Sequence, residues 1–425
     1  MEDREPRVLV AQSYGPAAAV SRRAAERVRA GHLWVYRSDV ESLTPPPDAA
    51  SILSGALVTV TDNRGIPLGT ALYSAVSQIT LRIVSSEIAL SRATYLAQLQ
   101  QRAIDALHLR DEVAPASPDN NAYRLIFSEA DNLPGIIADR YNDLVILQLL
   151  MQGTAQDDVR ETLAEVIQNH LHHEACGLTL WERPDPKIRE LEQLPAPAFG
   201  PLFSTNTETP QQTTIFTING LRFHFNAGSG QKTGAFLDQR LNYAAAAKYA
   251  SGIALDVCTY QGGFALHLAQ HCRQVTGVDA SRSALEVADR NRELNPQLAA
   301  SLDWIEADAF ELLREYETNG EQYDTIVLDP PAFAKSKRAI EGALRGYKEL
   351  NLRAMKMLRP GGTLITCSCS HHVPLNDFTQ VVSAAASDAG RRVQLLEIRG
   401  AAPDHPAVLT LPETSYLKCL ICRVG

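Results

Sequence analysis

The sequence predicts an α/β protein: a small β-rich unit, a central α/β unit, and a C-terminal half built as an open parallel sheet flanked by helices. Three observations predict it. From Thr214 to Gly425 short apolar runs alternate with stretches of helical period. Within that half, IALDVC at Ile253–Cys258 reads as a buried strand, Gly262-Gly263 as a tight turn, and Phe264–His271 as a helix opening behind it. Finally, Asp279, Asp308 and Asp329 each close an apolar run, which sets acids at the carboxyl ends of successive strands, where open α/β sheets hold their ligands.

Length and composition agree with this layout. The chain has 425 residues, enough for two or three domains, and its 45% hydrophobic and 21% charged residues are those of a soluble globular protein. MEDREPRVLV lacks the basic-then-apolar pattern of a signal, and no apolar run is long enough to span a bilayer. Seven cysteines without framework spacing fit a reducing cytoplasm. The net charge of -9 argues against nucleic acid, unless basic groups are gathered in patches.

The first unit, 6–86, is expected to be β-rich. Val58-Thr59-Val60 leads into the turn Asp62-Asn63-Arg64-Gly65, Leu68–Tyr73 follows, and Ile79, Leu81 and Ile83 alternate onto one face. Ahead of them Arg22, Arg23, Arg27, Arg29 and Arg37 are interleaved with His32, Trp34 and Tyr36. Cations for phosphates beside flat rings for bases are what RNA contact needs; a solvated helix anchored by its aromatics accounts for the same residues.

The second unit, 90–205, opens with a helix over Ala93–Leu109 and an exposed loop over Asp111–Asn121. Strands are expected at Ile136–Asp139 and Leu144–Leu150, then a helix from Asp157 to His170. His170, His172 and His173 lack the spacing of a zinc site, so no metal is expected. Pro184–Pro201 is a proline-rich connector. The third unit, 211–425, carries seven expected strands: Ile253–Val257, Gln274–Val278, Leu302–Ile305, Thr325–Leu328, Thr363–Cys367, Val393–Ile398 and Leu417–Cys422. The last two are joined without a helix, so one should run antiparallel.

The acids give the ligand. Asp279 stands roughly twenty residues beyond the glycine turn, the distance at which an acid reaches the ribose hydroxyls of an adenosine-type ligand. Asp308 is expected near an adenine amino group, and Asp329 opens onto the same crevice within LDPPAF. Each alone is equally a helix N-cap; the repetition favours a ligand. The dinucleotide pattern G-x-G-x-x-G is missing, which disfavours a nicotinamide enzyme.

Together these residues resemble the class I S-adenosylmethionine (SAM) methyltransferases, and more narrowly the bacterial 23S ribosomal RNA cytosine-5 methyltransferases with an N-terminal PUA β-barrel and a central α/β domain. The matching stretches are Gly31–Val35, SEADNLPGIIADRY (Ser128–Tyr141), GQKTGAFLDQR (Gly230–Arg240), LDVCTYQGGF, LDPPAF, Gly346–Asn351 and Thr366–Ser370, in the family's order along nearly the whole chain.

The resemblance implies a Rossmann-like domain with SAM held by Asp256, Tyr260, Gly262, Gly263, Phe264, Asp279, Ala280, Asp308, Ala309, Asp329 and Pro330, while Lys232, Phe236, Asp238 and Arg240 close over it. It implies Cys369 as the nucleophile, with Cys367 the competitor two residues earlier, and Asp329 as the group on the base edge. Arg22, Arg23, Trp34 and Arg37 would bind RNA, as would Phe333, Lys335 and Lys337, with Arg338, Arg345 and Lys348 extending the rim. Ala332 stands where related RNA enzymes carry a second cysteine, so the base for the C5 proton is open among His371, His372 and His405. The implied partner is large-subunit ribosomal RNA, in the cytoplasm; a homodimer stays open. Two alternatives remain: an amine-directed RNA methyltransferase (N6 of adenine or N2 of guanine) using Asp-Pro-Pro-Ala-Phe, and a non-catalytic ribosome-assembly factor.

Overall fold

The computed structural model describes residues 15–171, 177–183, 185–197, 200–228, 234–334 and 336–425, without the side chain of Lys337. In the first unit, β1 (Ala17–Val20), β2 (Trp34–Tyr36), β3 (Val40–Thr44), β4 (Leu57–Asp62), β5 (Pro67–Tyr73) and β6 (Ile79–Ser85) form one sheet in the order β2-β6-β5-β4-β1-β3. Helix α1 (Arg22–Arg29) starts because the Ser21 side chain accepts from Ala24 N, and its short Ala24 and Ala25 turn inward beside Val20, Val58, Val60 and Leu81. The arginines are thereby left outside.

In the central unit, α2 (Arg92–Val113) and α3 (Asp157–Leu171) bury leucines and alanines against a five-stranded sheet. Its strands are β7 (Ala122–Phe127), β8 (Ile136–Tyr141), β9 (Leu144–Leu149), β10 (Thr179–Glu182) and β11 (Phe203–Ser204), in the order β11-β10-β9-β8-β7. Two expectations are corrected. Helix α2 runs on through Asp111 to Val113, because Leu107 and Arg110 are still buried there. The proline-rich connector contains a helix, α4 (Pro186–Glu192), since Asp185 caps Lys187 N and Ile188 N and a proline suits the first helical position.

The third unit opens with the hairpin β12 (Thr213–Ile218) and β13 (Leu221–Asn226), whose Asn219-Gly220 turn takes positive φ at both residues. The order thereafter is α5 (Arg240–Tyr249), β14 (Gly252–Val257), α6 (Gly263–Leu268), β15 (Cys272–Asp279), α7 (Arg282–Glu293), β16 (Ser301–Glu306), α8 (Ala309–Asn319) and β17 (Tyr323–Leu328). It continues with α9 (Ile340–Met357), β18 (Leu358–Ser368), α10 (Leu375–Asp388), β19 (Val393–Arg399) and β20 (Lys418–Val424). All seven expected strands are present, in the order β16-β15-β14-β17-β18-β20-β19, and β20 is the antiparallel one. The order reverses between β14 and β17, so a crevice opens above their carboxyl ends. No helix among the described residues is long and apolar enough to cross a membrane.

Charged side chains tie the units together. Trp34 Nε1 and Arg82 Nη1 both donate to Glu129 Oε1, at 2.8 and 2.7 Å, across the seam between first and central units. Asp404, fully buried in the third unit, accepts from Arg124 N at 2.9 Å and Arg240 Nη2 at 3.2 Å, and its carbonyl accepts from Arg110 at 3.0 Å.

Candidate active site

The site is built around the turn after β14. Cys258, Tyr260 and Gly262 all have positive φ, two of them side-chain-bearing residues in a conformation that costs energy and persists where surrounding contacts enforce it. The enforcement comes from Asp256. Its Oδ2 accepts from Thr259 Oγ1 at 2.5 Å and Ala265 N at 2.9 Å, while Oδ1 is buried without a hydrogen-bond partner. Burial lifts this carboxyl to about 7 despite those two hydrogen bonds. Gly263 is required because a Cβ there would lie 2.6 Å from the Tyr243 ring.

Above the turn lies a cavity of about 330 Å³. Tyr260, Gly263, Phe264, Asp279, Ala280, Asp308, Ala309, Asp329 and Pro330 line it, with Phe236 and Asp238 on the facing wall. Three residues expected at the cofactor do not line it. Asp256 lies beneath the turn; Gly262 supplies the left-handed cap of α6; Arg240 turns away to pair with Asp404. Their roles here are those of the frame. Lys232 and Lys335, and the side chain of Lys337, lie outside the described residues.

Asp279 accepts from Tyr260 N and Ser281 N, one on each oxygen, both at 2.9 Å. Each carboxylate oxygen keeps a further lone pair for a hydroxyl. Asp308 Oδ1 caps α8 through Phe310 N and Glu311 N, so the cap and ligand readings describe one side chain. Between these acids Ala280, Ala307, Ala309 and Phe310 form an apolar slot suited to a flat purine. Tyr260 is fixed over the opening, its hydroxyl donating to Gly234 O at 3.0 Å and its ring 5.1 Å from that of Phe236.

At the other end of the cavity the two competing cysteines separate. Cys367 is fully buried against Cys419, its strand partner across β18 and β20, and burial followed by that second thiol pushes it far above the ordinary thiol range. Cys369, just past the end of β18, is half-buried and lines the cavity, with Sγ 3.8 Å from Pro330 O. A third cysteine, Cys258, also lines it; burial first, then Asp279, Asp329, Asp256 and Asp308, keep that thiol protonated. Asp329 Oδ1 accepts from Gln239 Nε2 at 3.0 Å, and Phe333 lines the cavity with its ring 4.8 Å from Tyr347.

The three histidines left open as bases stand apart from the cavity lining: His371 is exposed, with Nδ1 2.8 Å from Glu413 O, and His405 is buried beside Asp404. Of the residues expected on RNA, Arg22, Arg23 and Arg37 are exposed, Arg22 beside Glu26 and Arg37 donating to Ala75 O and Ser77 O. Trp34 is half-buried at the Glu129 seam. Arg27 and Arg29 are paired with Asp39 and Asp62. Arg345 is paired with Glu341 and Lys348 with Asp388. Gln239 and Tyr243 line the cavity without having been anticipated: Gln239 lies inside the matching stretch GQKTGAFLDQR but was passed over between Asp238 and Arg240, and Tyr243 is brought here by the packing of α5. No group of three potential metal ligands occurs among the described residues.

The profile of the family described as S-adenosylmethionine-dependent methyltransferase matches residues 204–422, and that of a PUA-like domain matches 19–86. The chain belongs to the S-adenosylmethionine-dependent methyltransferases. This methyltransferase is 36% identical over 397 residues to the ribosomal RNA large subunit methyltransferase I of Yersinia pestis bv. Antiqua (strain Angola), covering 92% of the chain and 95% of the relative. The protein of that name from Yersinia pseudotuberculosis serotype O:3 (strain YPIII) matches to the same extent. Among solved structures, one described as a SAM-dependent methyltransferase from Streptococcus mutans superposes with a TM-score of 0.76 at 19% identity, over 95% of this chain and 99% of that one. Another, a methyltransferase complexed with SAH, gives 0.75 at 20% over the same shares. The enzyme's cofactor is SAM, and the lining fits it: an acid for the ribose diol, an acid beside an apolar slot for adenine, and a closed aromatic wall.

Proposed function

We propose that this methyltransferase forms 5-methylcytosine in 23S ribosomal RNA through a covalent adduct at Cys369. One observation carries the reading: Cys369 opens into the same cavity as Asp279, Asp308 and Asp329, whereas Cys367 is sealed in the core. The names of the relatives supply the RNA class. SAM, when bound, supplies an electrophilic methyl group. C5 of a cytosine is too weak a nucleophile to take it unaided. Addition of the Cys369 thiolate to C6 moves an electron pair onto C5; after methylation, loss of the C5 proton and departure of the thiolate restore the ring. Asp329, steadied by Gln239, would hold the base edge as charge develops. The target base must leave its stack to reach the thiol, which favours a loop or a partly assembled subunit as substrate.

On this reading 6–86 is an RNA-binding unit, 90–205 a central spacer and 211–425 the catalytic unit, working in the cytoplasm. Phe333, which lines the cavity with Asp329, favours one second reading, transfer to an exocyclic amine, which needs no thiol. The deciding experiment is transfer of radiolabelled methyl from SAM to ribosomal RNA by Cys369→Ala, with mass mapping of the modified nucleoside. The expected result is no transfer with SAM binding intact. Undiminished transfer, or a methyl on an amine nitrogen, would overturn the proposal.

A further inference from the structure

We infer that the buried ammonium of Lys418 is the counter-ion that holds Cys369 as a thiolate, which makes Lys418 a positioning residue for the nucleophile. The inference rests on the reading of Cys369 as nucleophile. Lys418 opens β20, directly opposite Ser368 of β18, and is only 6% exposed. Its Nζ donates to Ser370 O and Tyr416 O, both at 2.7 Å. Ser370 is the residue after Cys369, so the first bond fixes the ammonium beside the segment that carries the thiol, and an ammonium has a third N–H to give.

A lysine this buried ordinarily has an acid beside it, because an unpaired charge away from water is strongly disfavoured. Among the described residues no carboxylate is paired with Lys418. The other ionisable neighbours do not substitute. Tyr416 donates its hydroxyl to Asp238 Oδ2 at 2.5 Å, so that acid is bonded to the phenol and not to Lys418; Arg124 acts on the same phenol as a cation, and the His371 ring lies tilted 5.4 Å from it. Tyr347, from α9, is held between Ser368 and Ser370, and burial keeps both phenols above their ordinary range and therefore neutral. The remaining acidic group is the thiol of Cys369, whose charge acts on Lys418 in the favourable sense. Burial lowers Lys418 itself to about 8, so at neutral pH it is still mostly cationic and gains most from a nearby anion.

The Cys369 proton leaves to water, Lys418 keeps its own, and the pair is neutral overall. The sulfur lone pair then forms the bond to C6 and returns to sulfur on elimination.

The test needs no turnover. The full chain is alkylated with iodoacetamide across a pH series, and modification of the Cys369 peptide is quantified by mass spectrometry. In the wild type the midpoint should fall below the ordinary thiol value of about 8.5. Lys418→Met should raise it by about one unit and slow alkylation near neutrality by about tenfold, with little change at high pH; Lys418→Arg should restore it. A Lys418→Met profile superimposable on the wild type overturns the inference. Should Lys418→Met fail to fold, a wild-type midpoint at or above about 8.5 overturns it by itself, and a lowered midpoint retained in Lys418→Arg supports it. Methylation by Cys369→Ala would sink the nucleophile reading while leaving the alkylation profile to judge the ion pair.

Discussion

Gln239 and Asp329 are 90 positions apart in the chain, yet Gln239 Nε2 donates to Asp329 Oδ1 at 3.0 Å inside the active-site wall. Gln239 is in turn fixed through its own Oε1, which accepts from Asn242 Nδ2 at 2.7 Å. The carboxylate of Asp-Pro-Pro-Ala-Phe is therefore aimed by a residue from the turn before α5. Gln239→Ala removes one restraint on that carboxylate, and on the reading of Asp329 as the group at the base edge its misplacement by an ångström costs on the order of 100-fold. Single-turnover methyl transfer is expected to fall ~10- to 100-fold, with SAM affinity within about threefold of wild type. An unchanged single-turnover rate would show that Asp329 needs no such support.

The paired acids make separable predictions about the cofactor. Asp279→Ala removes a charged acceptor of the kind worth ~1.5–3 kcal/mol per hydrogen bond, so the SAM Kd should rise ~10- to 100-fold by calorimetry. Asp308→Asn is subtler: asparagine caps a helix as well as aspartate, so melting should hardly move while SAM binding weakens. If Asp308→Asn binds SAM like wild type, the residue serves α8 alone.

The central strands β14, β17 and β18 were legible because parallel strands covered on both faces read as apolar runs, and Asp279 and Asp329 were legible because they stand at the carboxyl ends of such strands; Asp308 lies two residues beyond the exposed edge strand β16, as the cap of α8. Trp34 was visible as an aromatic among arginines, but not as a partner of Glu129, since a seam between units leaves no local periodicity. The short strand Thr179–Glu182 escaped for a related reason: it is four residues long and is defined by parallel pairing to Leu144–Leu147. Lys418 is the plainest case. A lysine in a C-terminal strand signals nothing until the strand is antiparallel to β18 and the side chain is found beneath Ser370.

The Glu129 seam predicts a stability change outside the catalytic unit. Burial pushes this carboxyl up, but Arg82 and the hydrogen bonds of Ser128 and Trp34 outweigh it and hold it below the usual range. Glu129→Ala leaves the half-buried Arg82 and the Trp34 N–H without their acceptor, which should cost ~3 kcal/mol, read by urea unfolding at neutral pH. A depressed folded value means the contribution is present above the ordinary carboxyl range and is lost as pH falls through the folded value. The deficit of the variant should therefore shrink in acid; a deficit that is constant from neutral pH into acid would place the effect in packing instead.

Asp256 predicts the opposite slope. Its carboxyl is lifted to about 7 in the folded state by burial, against an ordinary value of 3.8. Between those limits the folded chain binds a proton that the unfolded chain has released, so stability falls as pH rises. The full contribution is present below about 4 and is gone once pH passes about 7, a span worth up to ~4 kcal/mol at 1.36 kcal/mol per unit. Asp256→Asn keeps an oxygen for Ala265 N and has no charge to bury at the orphaned Oδ1 position. Urea titrations at intervals across that range should show the wild type weakening steadily while Asp256→Asn stays flat, the variant gaining on the wild type as pH rises. SAM affinity should be little altered, because residue 256 supports the turn from below and does not line the cavity. Parallel stability curves for the two proteins would mean that Asp256 is ionised in the folded turn and that some unseen donor reaches Oδ1.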